Sequence, residues 1–284
     1  PDVAQENRLS AYAGAAACPS LKPYVAAKNA GGVLSFRGRL PESCLGQEMF
    51  VNMLDAPDFA ARSFINHWRA SGGEIADGAG AGRAPAQAAT LAANQSKPLA
   101  AVLADMNKES NNVIARSVYL ALGEQAARGR NGTQNAEAAV RRALRSAGLD
   151  DETLVLENGS GLSRRERVSA RFLGEMLVAA RRSPFQTAFT DSLPIAGNDG
   201  TLKKRFQNIG SPLRLKTGTL KNVRALAGYW LPEAPQHPLA IVVLVNSEQS
   251  GAYLPDLGRL VMQLLPAGAD ANHQPGSPWN DVCT

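Results

Sequence analysis

Residues 213–219 read Leu213-Arg214-Leu215-Lys216-Thr217-Gly218-Thr219, an apolar lead-in with alternating side chains that ends in Lys-Thr-Gly. The alternation predicts a β-strand. Apolar runs over 223–231 and 239–246 predict two more strands, joined by tight or proline-containing turns into an antiparallel meander. Apolar residues at helical spacing over 253–265 predict a closing helix. Strands packed by a terminal helix, after several helices, are typical of an α/β (α+β) fold with an antiparallel sheet.

Helices dominate the region before this meander. The predicted helices are one that begins at Ser96-Lys97-Pro98, one over 113–122, one over 135–147 that Gly148 ends, and one over 168–180. Ser110-Asn111-Asn112 therefore lies in the turn between the first two helices. Taken alone, Ser-Asn-Asn is typical of a helix cap.

The N-terminal third has a different pattern. Residues 31–53 predict short strands, one at 33–36 and one at 48–54, and residues 57–70 predict a helix with aromatic residues on one face. Residues 76–94 are rich in Ala and Gly and contain few large apolar side chains, so they predict an irregular connector. The sequence thus predicts one domain over 1–75 and another over 76–284.

Composition excludes some classes of function. The chain has 284 residues, 44% of them hydrophobic, and a net charge of +5, which supports a real core and favours encounter with anionic polymers such as cell-wall material. Basic pairs and triplets predict solvated faces and occur at Arg141-Arg142, Arg164-Arg165, Arg181-Arg182 and Lys203-Lys204-Arg205. They are not interleaved with aromatic residues, which argues against nucleic-acid binding. The longest apolar run, over 239–245, is too short to span a bilayer.

Three cysteines bear on the compartment. Cys18 and Cys44 enclose a short loop, and a disulfide between them would indicate an oxidising compartment, whereas two buried thiols would not. Cys283 is the odd cysteine and is predicted to be unpaired. The cysteines and histidines lack metal-ligand spacing, so the sequence predicts no metal and no cofactor.

The Lys-Thr-Gly strand contains groups suited to acyl transfer. Lys216 supplies a positive charge for a substrate carboxylate, and Gly218 lets a ligand approach the backbone closely. Thr219 offers a backbone N–H of the type that stabilises an oxyanion. The side chain of Thr217 alternates to the opposite face of the strand, so its hydroxyl needs a further reason to reach the same site.

The Ser-Asn-Asn turn supplies complementary groups. The Ser110 hydroxyl can transfer a proton toward a leaving amine, and the Asn112 amide can both accept from and donate to a peptide group. Penicillin-recognising enzymes also need a nucleophile in a Ser-x-x-Lys motif. No serine in this sequence has lysine three residues later. The central prediction is that Ser110 and Lys216 meet in one crevice.

Four segments together resemble one family, the class C low-molecular-mass penicillin-binding proteins, which are D-alanyl-D-alanine carboxypeptidases and endopeptidases. The segments are Asn107-Lys108-Glu109-Ser110-Asn111-Asn112, Asn158-Gly159-Ser160-Gly161-Leu162-Ser163-Arg164, Ile195-Ala196-Gly197-Asn198-Asp199-Gly200-Thr201 and Leu215-Lys216-Thr217-Gly218-Thr219-Leu220. The resemblance extends over nearly the whole chain and includes Cys18-Pro19 and Cys44.

The resemblance implies a periplasmic enzyme that cleaves peptidoglycan stem peptides through an acyl-serine, and that β-lactams acylate. The implied roles are proton relay for Ser110, substrate-amide ligand for Asn112, carboxylate binding for Lys216, Thr217 and Gly218, and oxyanion donation for the N–H of Thr219. It also implies that residues 1–75 are part of an inserted β-rich domain and that 76–284 are the C-terminal part of the peptidase domain. The expected partner is a missing N-terminal fragment that carries Ser-x-x-Lys.

Two other hypotheses remain open. The first is a non-catalytic cell-wall or partner-binding module with the same fold. The second is a serine β-lactamase, which shares Ser-x-Asn and Lys-Thr-Gly but, in class A, needs a deacylating glutamate. Glu152 and Glu157 are the nearest candidates, and surface charge is the simpler interpretation of both. The chain begins without Met or a targeting segment, so we expect a mature protein or a fragment of one.

Overall fold

The computed structural model describes residues 3–14, 17–18, 20–30, 32–52, 54–76, 78, 80, 82–126, 132–233 and 237–265. The chain forms two compact units, residues 1–93 and 94–284. In the predicted connector over 76–94, the described residues contain no helix or strand. Cys283 lies outside the described residues. Within the described part of the chain, every helix is too short or too polar to cross a bilayer.

The first unit contains a three-stranded sheet. Its strands are β1 (Ala4–Ala11), β2 (Val25–Ala30) and β3 (Val33–Leu40), in the order β1-β3-β2, with β1 parallel and β2 antiparallel to β3. The predicted strand at 33–36 is confirmed as part of β3. Cys18 and Cys44 form a disulfide with a Cα–Cα distance of 5.2 Å, which confirms the disulfide alternative.

The predicted strand at 48–54 is wrong. A short 3-10 turn at Glu42–Cys44 follows β3, and residues 47–52 have no regular structure. Phe50 is 95% exposed, so its alternation with polar neighbours reflects no buried face. An extended segment becomes a strand only beside a partner, and no described strand pairs with this one.

The predicted helix at 57–70 is confirmed as α1 (Ala56–Ala70). The Asp55 side chain accepts a hydrogen bond from the backbone N–H of Asp58 at 2.8 Å and caps its start. Gly72 adopts φ +85° just beyond its end. Phe64 and Trp68 stack with ring centroids 6.0 Å apart, and both remain exposed.

The second unit holds the remaining helices and a second sheet. Its helices are α2 (Leu99–Lys108), α3 (Asn112–Ala126), α4 (Gly132–Ser146), α5 (Ala170–Arg182), α6 (Gln186–Ser192) and α7 (Leu254–Leu264). All except α6 were predicted. The seven residues of α6 are too few to show a helical period in the sequence.

The second sheet contains β4 (Leu213–Leu220), β5 (Val223–Trp230) and β6 (Leu239–Asn246), in that order and antiparallel, as predicted. One face packs on Leu257 and Val261 of α7, and the other packs on Leu177 of α5. Because both faces are covered, β6 is apolar almost throughout instead of alternating. The Tyr229 hydroxyl donates to the carbonyl of Leu177 at 2.6 Å, and burial raises the pKa of Tyr229 to about 12.

The prediction that all the arginine clusters form solvated faces is wrong for Arg141. Its guanidinium donates to Asp151 at 2.9 Å and to the carbonyl of Leu154 at 2.7 Å. Hydrogen bonds from Arg145 and then from Arg141 lower the pKa of the buried Asp151 to about 2. Arg205 is also only partly exposed and lies 5.2 Å from the ring centroid of Phe206. Local sequence cannot show these contacts. The acceptors for Arg141, Asp151 and Leu154, lie in the loop after α4, and the Phe206 ring beside Arg205 packs on the core.

Candidate active site

The turn that carries Ser110 joins the end of α2 to the start of α3. The backbone N–H of Asn111 donates to the carbonyl of Met106 at 2.9 Å, and Ser110 has φ +54°. This is the Schellman arrangement, in which glycine usually occupies the left-handed position that serine holds here. The Asn111 side chain accepts from the N–H groups of Val113 and Ile114, each at 3.1 Å. Asn111 therefore caps α3, and the Ser110 hydroxyl is left for other contacts.

Lys216 of β4 reaches this turn. Its Nζ donates to the Ser110 hydroxyl at 2.9 Å and to the carbonyl of Thr217 at 2.9 Å. The predicted meeting of Ser110 and Lys216 is thus confirmed, although their catalytic roles stay predictions. Burial lowers the pKa of Lys216 below the ordinary lysine value. Among the described residues no carboxylate forms an ion pair with this ammonium, so its charge is available to an anionic ligand.

Asn112 begins α3 and is held by a loop from further along the chain. Its Nδ2 donates to the carbonyl of Ser160 at 2.6 Å, which leaves Oδ1 as the acceptor for another group. Gly159 of that loop has φ +68°, and a Cβ there would lie 2.4 Å from the Tyr119 side chain. Glycine is therefore required where the loop crosses α3.

Glu166 organises the same loop, and sequence reasoning missed it. Its Oε1 accepts from the backbone N–H groups of Glu157, Asn158 and Gly159 at 3.3, 3.2 and 3.4 Å. One carboxylate oxygen thereby accepts hydrogen bonds from three backbone N–H groups that have no helix or strand partner in the loop. The loop in turn presents the Ser160 carbonyl to Asn112.

Removing the Glu166 carboxylate should loosen this loop. We expect Glu166→Ala to lower the free energy of unfolding by about 1–2 kcal/mol, because backbone donors lose a charged acceptor. Urea denaturation of the chain measures the change. Glu175→Ala is the matched control: among the described residues Glu175 forms an ion pair with exposed Arg171 alone, both on α5, so its loss should cost less than about 0.5 kcal/mol. Equal losses in the two variants would contradict the role of Glu166.

A loop over 195–201 connects the Ser110 turn to β4. The carboxylate of Asp199 pairs with Lys108 at the end of α2 and accepts from the N–H of Ile195 at 2.8 Å. Gly200 has φ +52°, and a Cβ there would lie 2.6 Å from the carbonyl of Lys108. Thr201 contacts β4, since its hydroxyl lies 2.9 Å from the Thr217 hydroxyl. The loop thus holds two chemically important segments against each other.

The remaining predicted residues have clear positions in β4. Thr217 is half-buried, and its side chain lies on the face of β4 opposite Lys216. There its hydroxyl forms a hydrogen bond with the Thr201 hydroxyl. Gly218 lies opposite Ala225, and a Cβ there would come within 3.0 Å of the Ala225 Cβ. Glycine therefore relieves a cross-strand contact in addition to leaving the backbone open. Thr219 is exposed opposite Arg224.

The two glutamates considered for a β-lactamase make their contacts away from Ser110 and Lys216. Glu152 is exposed, and the Glu157 carboxylate accepts from the Ser163 hydroxyl and lies 3.5 Å from Arg165. In the part of the chain that the structure describes, no group of three or more His, Cys, Asp or Glu residues could hold a metal ion.

The sequence is similar to those of D-alanyl-D-alanine carboxypeptidases, as the motifs predict. The chain is 31% identical over 229 residues to the D-alanyl-D-alanine carboxypeptidase of Actinomadura sp. (strain R39), which covers 77% of this chain and 42% of the relative. It is 33% identical over 171 residues to the D-alanyl-D-alanine carboxypeptidase DacB of Haemophilus influenzae, covering 59% of this chain and 36% of the relative. The chain thus spans less than half the length of these curated relatives.

Solved structures agree with the fold. Penicillin binding protein 4 of Haemophilus influenzae, in a complex with a β-lactam, superposes with a TM-score of 0.66 at 26% identity, covering 84% of this chain and 58% of that one. The sequence pattern of the D-Ala-D-Ala carboxypeptidase 3 (S13) family matches residues 2–258. These matches, the α+β fold and the Ser110–Lys216 contact lead to one assignment: the chain belongs to the D-Ala-D-Ala carboxypeptidase 3 (S13) family.

Proposed function

We propose that this chain supplies the substrate-binding and proton-transfer part of a serine-type D-Ala-D-Ala carboxypeptidase that acts on peptidoglycan stem peptides. The observation that carries the proposal is the 2.9 Å hydrogen bond between Lys216 Nζ and the Ser110 hydroxyl. It joins a half-buried ammonium to a hydroxyl across two segments that are far apart in sequence. The same site serves D,D-endopeptidase cleavage of cross-links, because both reactions attack a peptide bond after D-Ala.

The geometry supports a role for each group. The Lys216 ammonium attracts the substrate carboxylate, and its hydrogen bond to Ser110 favours transfer of a proton through that hydroxyl to the leaving amine. The free Oδ1 of Asn112 accepts from a substrate N–H. The N–H of Thr219 is one of the oxyanion donors, and the Thr217 hydroxyl and Gly218 complete the carboxylate-binding end.

The nucleophile comes from a Ser-x-x-Lys segment outside these 284 residues, since no serine in this sequence has lysine three positions later. We refer to the chain combined with that segment as the reconstituted enzyme. β-Lactams acylate the same serine. Within this proposal residues 1–75 belong to an inserted β-rich domain and residues 76–284 to the peptidase domain. The enzyme acts in the periplasm, an assignment that the Cys18–Cys44 disulfide supports.

The absence of Ser-x-x-Lys also favours a second candidate function. A chain with an intact carboxylate-binding strand but no nucleophile could bind stem peptides without cleaving them. This candidate is a cell-wall or partner-binding module with the same fold.

A labelled penicillin distinguishes the two candidates. We expect no covalent label on the chain alone, and labelling of the added segment's serine in the reconstituted enzyme. Replacement of that serine by alanine is the matched control and should abolish the label. Labelling of the chain alone would contradict the missing nucleophile. A reconstituted enzyme that retains stem peptides but is never labelled would favour the binding module.

A further inference from the structure

The hydroxyl of Thr217 is held from outside its own strand. Thr217 follows Lys216 in β4, and strand alternation directs the two side chains to opposite faces. The Thr217 hydroxyl donates to the Oγ1 of Thr201 at 2.9 Å. Its orientation therefore depends on a residue that lies sixteen positions earlier in the sequence.

Contacts of the residues on both sides of Thr201 fix the position of its backbone. It lies in the short 3-10 turn Gly200–Leu202, and the next residue, Leu202, is fully buried in the core beneath the sheet. On its other side, Asp199 is fixed by the Lys108 ammonium and by the N–H of Ile195. Because the turn is anchored at Asp199, two residues before Thr201, and at Leu202, directly after it, the Thr201 hydroxyl has little freedom to move away from Thr217.

The hydrogen bond between Thr201 and Thr217 affects how Thr217 can bind an anionic ligand. A threonine hydroxyl has one hydrogen to donate and two lone pairs that accept. In the free chain Thr217 is the donor, but rotation of the two hydroxyls lets Thr201 donate to the Thr217 oxygen, and the Thr217 hydrogen is then free to donate to an anion. The first hydrogen bond also polarises the second and strengthens it.

We propose that Thr201 is a positioning residue that holds the Thr217 hydroxyl for the terminal carboxylate of the substrate. When the carboxylate binds, the two hydroxyls rotate, so that Thr201 donates to the Thr217 oxygen and Thr217 donates to the carboxylate. Because β4 is an edge strand of the described sheet, a carboxylate at that edge can meet Thr217 from one face and the charge of Lys216 from the other. The proposal rests on the proposed function. It adds a requirement that the catalytic motifs do not contain: recognition of the carboxylate depends on the 195–201 loop as well as on β4.

The test compares two substrates in the reconstituted enzyme. One is an acylated peptide ending in D-Ala-D-Ala with a free carboxylate, and the other is the same peptide as its C-terminal amide. We expect Thr201→Val to raise KM for the carboxylate substrate about tenfold, because a hydrogen bond to a charged group is weakened, and to change kcat less than about twofold. KM for the amide should change little. Thr201→Ser keeps the hydroxyl and should restore the carboxylate KM.

Control variants separate positioning from folding. Thr187→Val alters an exposed threonine of α6 and should behave as wild type with both substrates. If Thr201→Val lowers the melting temperature sharply, Thr201→Ala compared with Thr201→Ser gives the same contrast. If Thr201→Val left KM unchanged, or raised KM equally for both substrates, the role of Thr201 would be overturned, but the proposed function would not. A wild-type reconstituted enzyme that turns over neither substrate would overturn the proposed function and this inference with it.

Discussion

Lys216→Ala is expected to lower the rate at which a labelled penicillin acylates the reconstituted enzyme by about a hundredfold. The substitution removes the charge that attracts the ligand carboxylate and the donor that contacts the Ser110 hydroxyl at 2.9 Å. Removing a charge-assisted hydrogen bond from a half-buried site costs about 3 kcal/mol, and each 1.4 kcal/mol corresponds to a factor of ten. The measurement is the second-order rate constant of acylation, compared between variant and wild type.

Lys221→Ala is the matched control, because Lys221 lies in the exposed turn that follows β4. It should acylate at the wild-type rate. Acylation that survives Lys216→Ala unchanged would show that the carboxylate is bound elsewhere.

The lowered pKa of Lys216 leads us to expect that activity of the reconstituted enzyme depends on pH. Burial lowers the pKa of Lys216, so its ammonium loses its proton at a lower pH than an exposed lysine does. Activity that needs this charge should therefore be full below the lowered pKa and fall as the pH rises through it. The apparent pKa of the alkaline limb should lie below the ordinary lysine value of about 10.4.

The second sheet could be predicted closely from the sequence, whereas only β3 of the first sheet could. The strands β4, β5 and β6 carry apolar runs separated by turn residues, which are local signals. β1 and β2 have few β-branched or aromatic residues, and they form strands because β3 lies between them. Segment 48–54 shows the converse, since it has suitable alternation but no described strand beside it.

The candidate site shows a similar division. Ser110, Asn112 and Lys216 could be found because each lies in a short motif, Ser-x-Asn or Lys-Thr-Gly, and the two motifs occur in the order that the resembled family shows. Glu166 and Thr201 could not be assigned roles this way: one binds backbone N–H groups and the other contacts a hydroxyl sixteen residues away. Such contacts depend on how loops fold back and leave no period in the sequence. The motif over 195–201 marked the right segment without showing which atoms it contacts.

Ser110 should separate activity from stability when it is replaced by glycine and by alanine. Both variants lose the hydroxyl, so both should lower acylation of the reconstituted enzyme by about a hundredfold, the lower range for proton transfer by a positioned side chain. Their stabilities should differ, because position 110 has φ +54°. Glycine adopts this conformation freely, whereas the Cβ of alanine makes it unfavourable by roughly 1 kcal/mol. Urea denaturation should therefore find Ser110→Gly more stable than Ser110→Ala by about that amount.

Ser117→Ala is the matched control, since Ser117 lies on the exposed side of α3 and its hydroxyl donates to the carbonyl of Val113 in the same helix at 2.9 Å. It should preserve both acylation and stability. Equal stability of the glycine and alanine variants would contradict a left-handed residue at position 110, and normal acylation in both would contradict the proton relay. If both expectations hold, serine occupies a position where glycine suits the backbone better. The reason for serine there is then its hydroxyl, which the strained turn directs at Lys216.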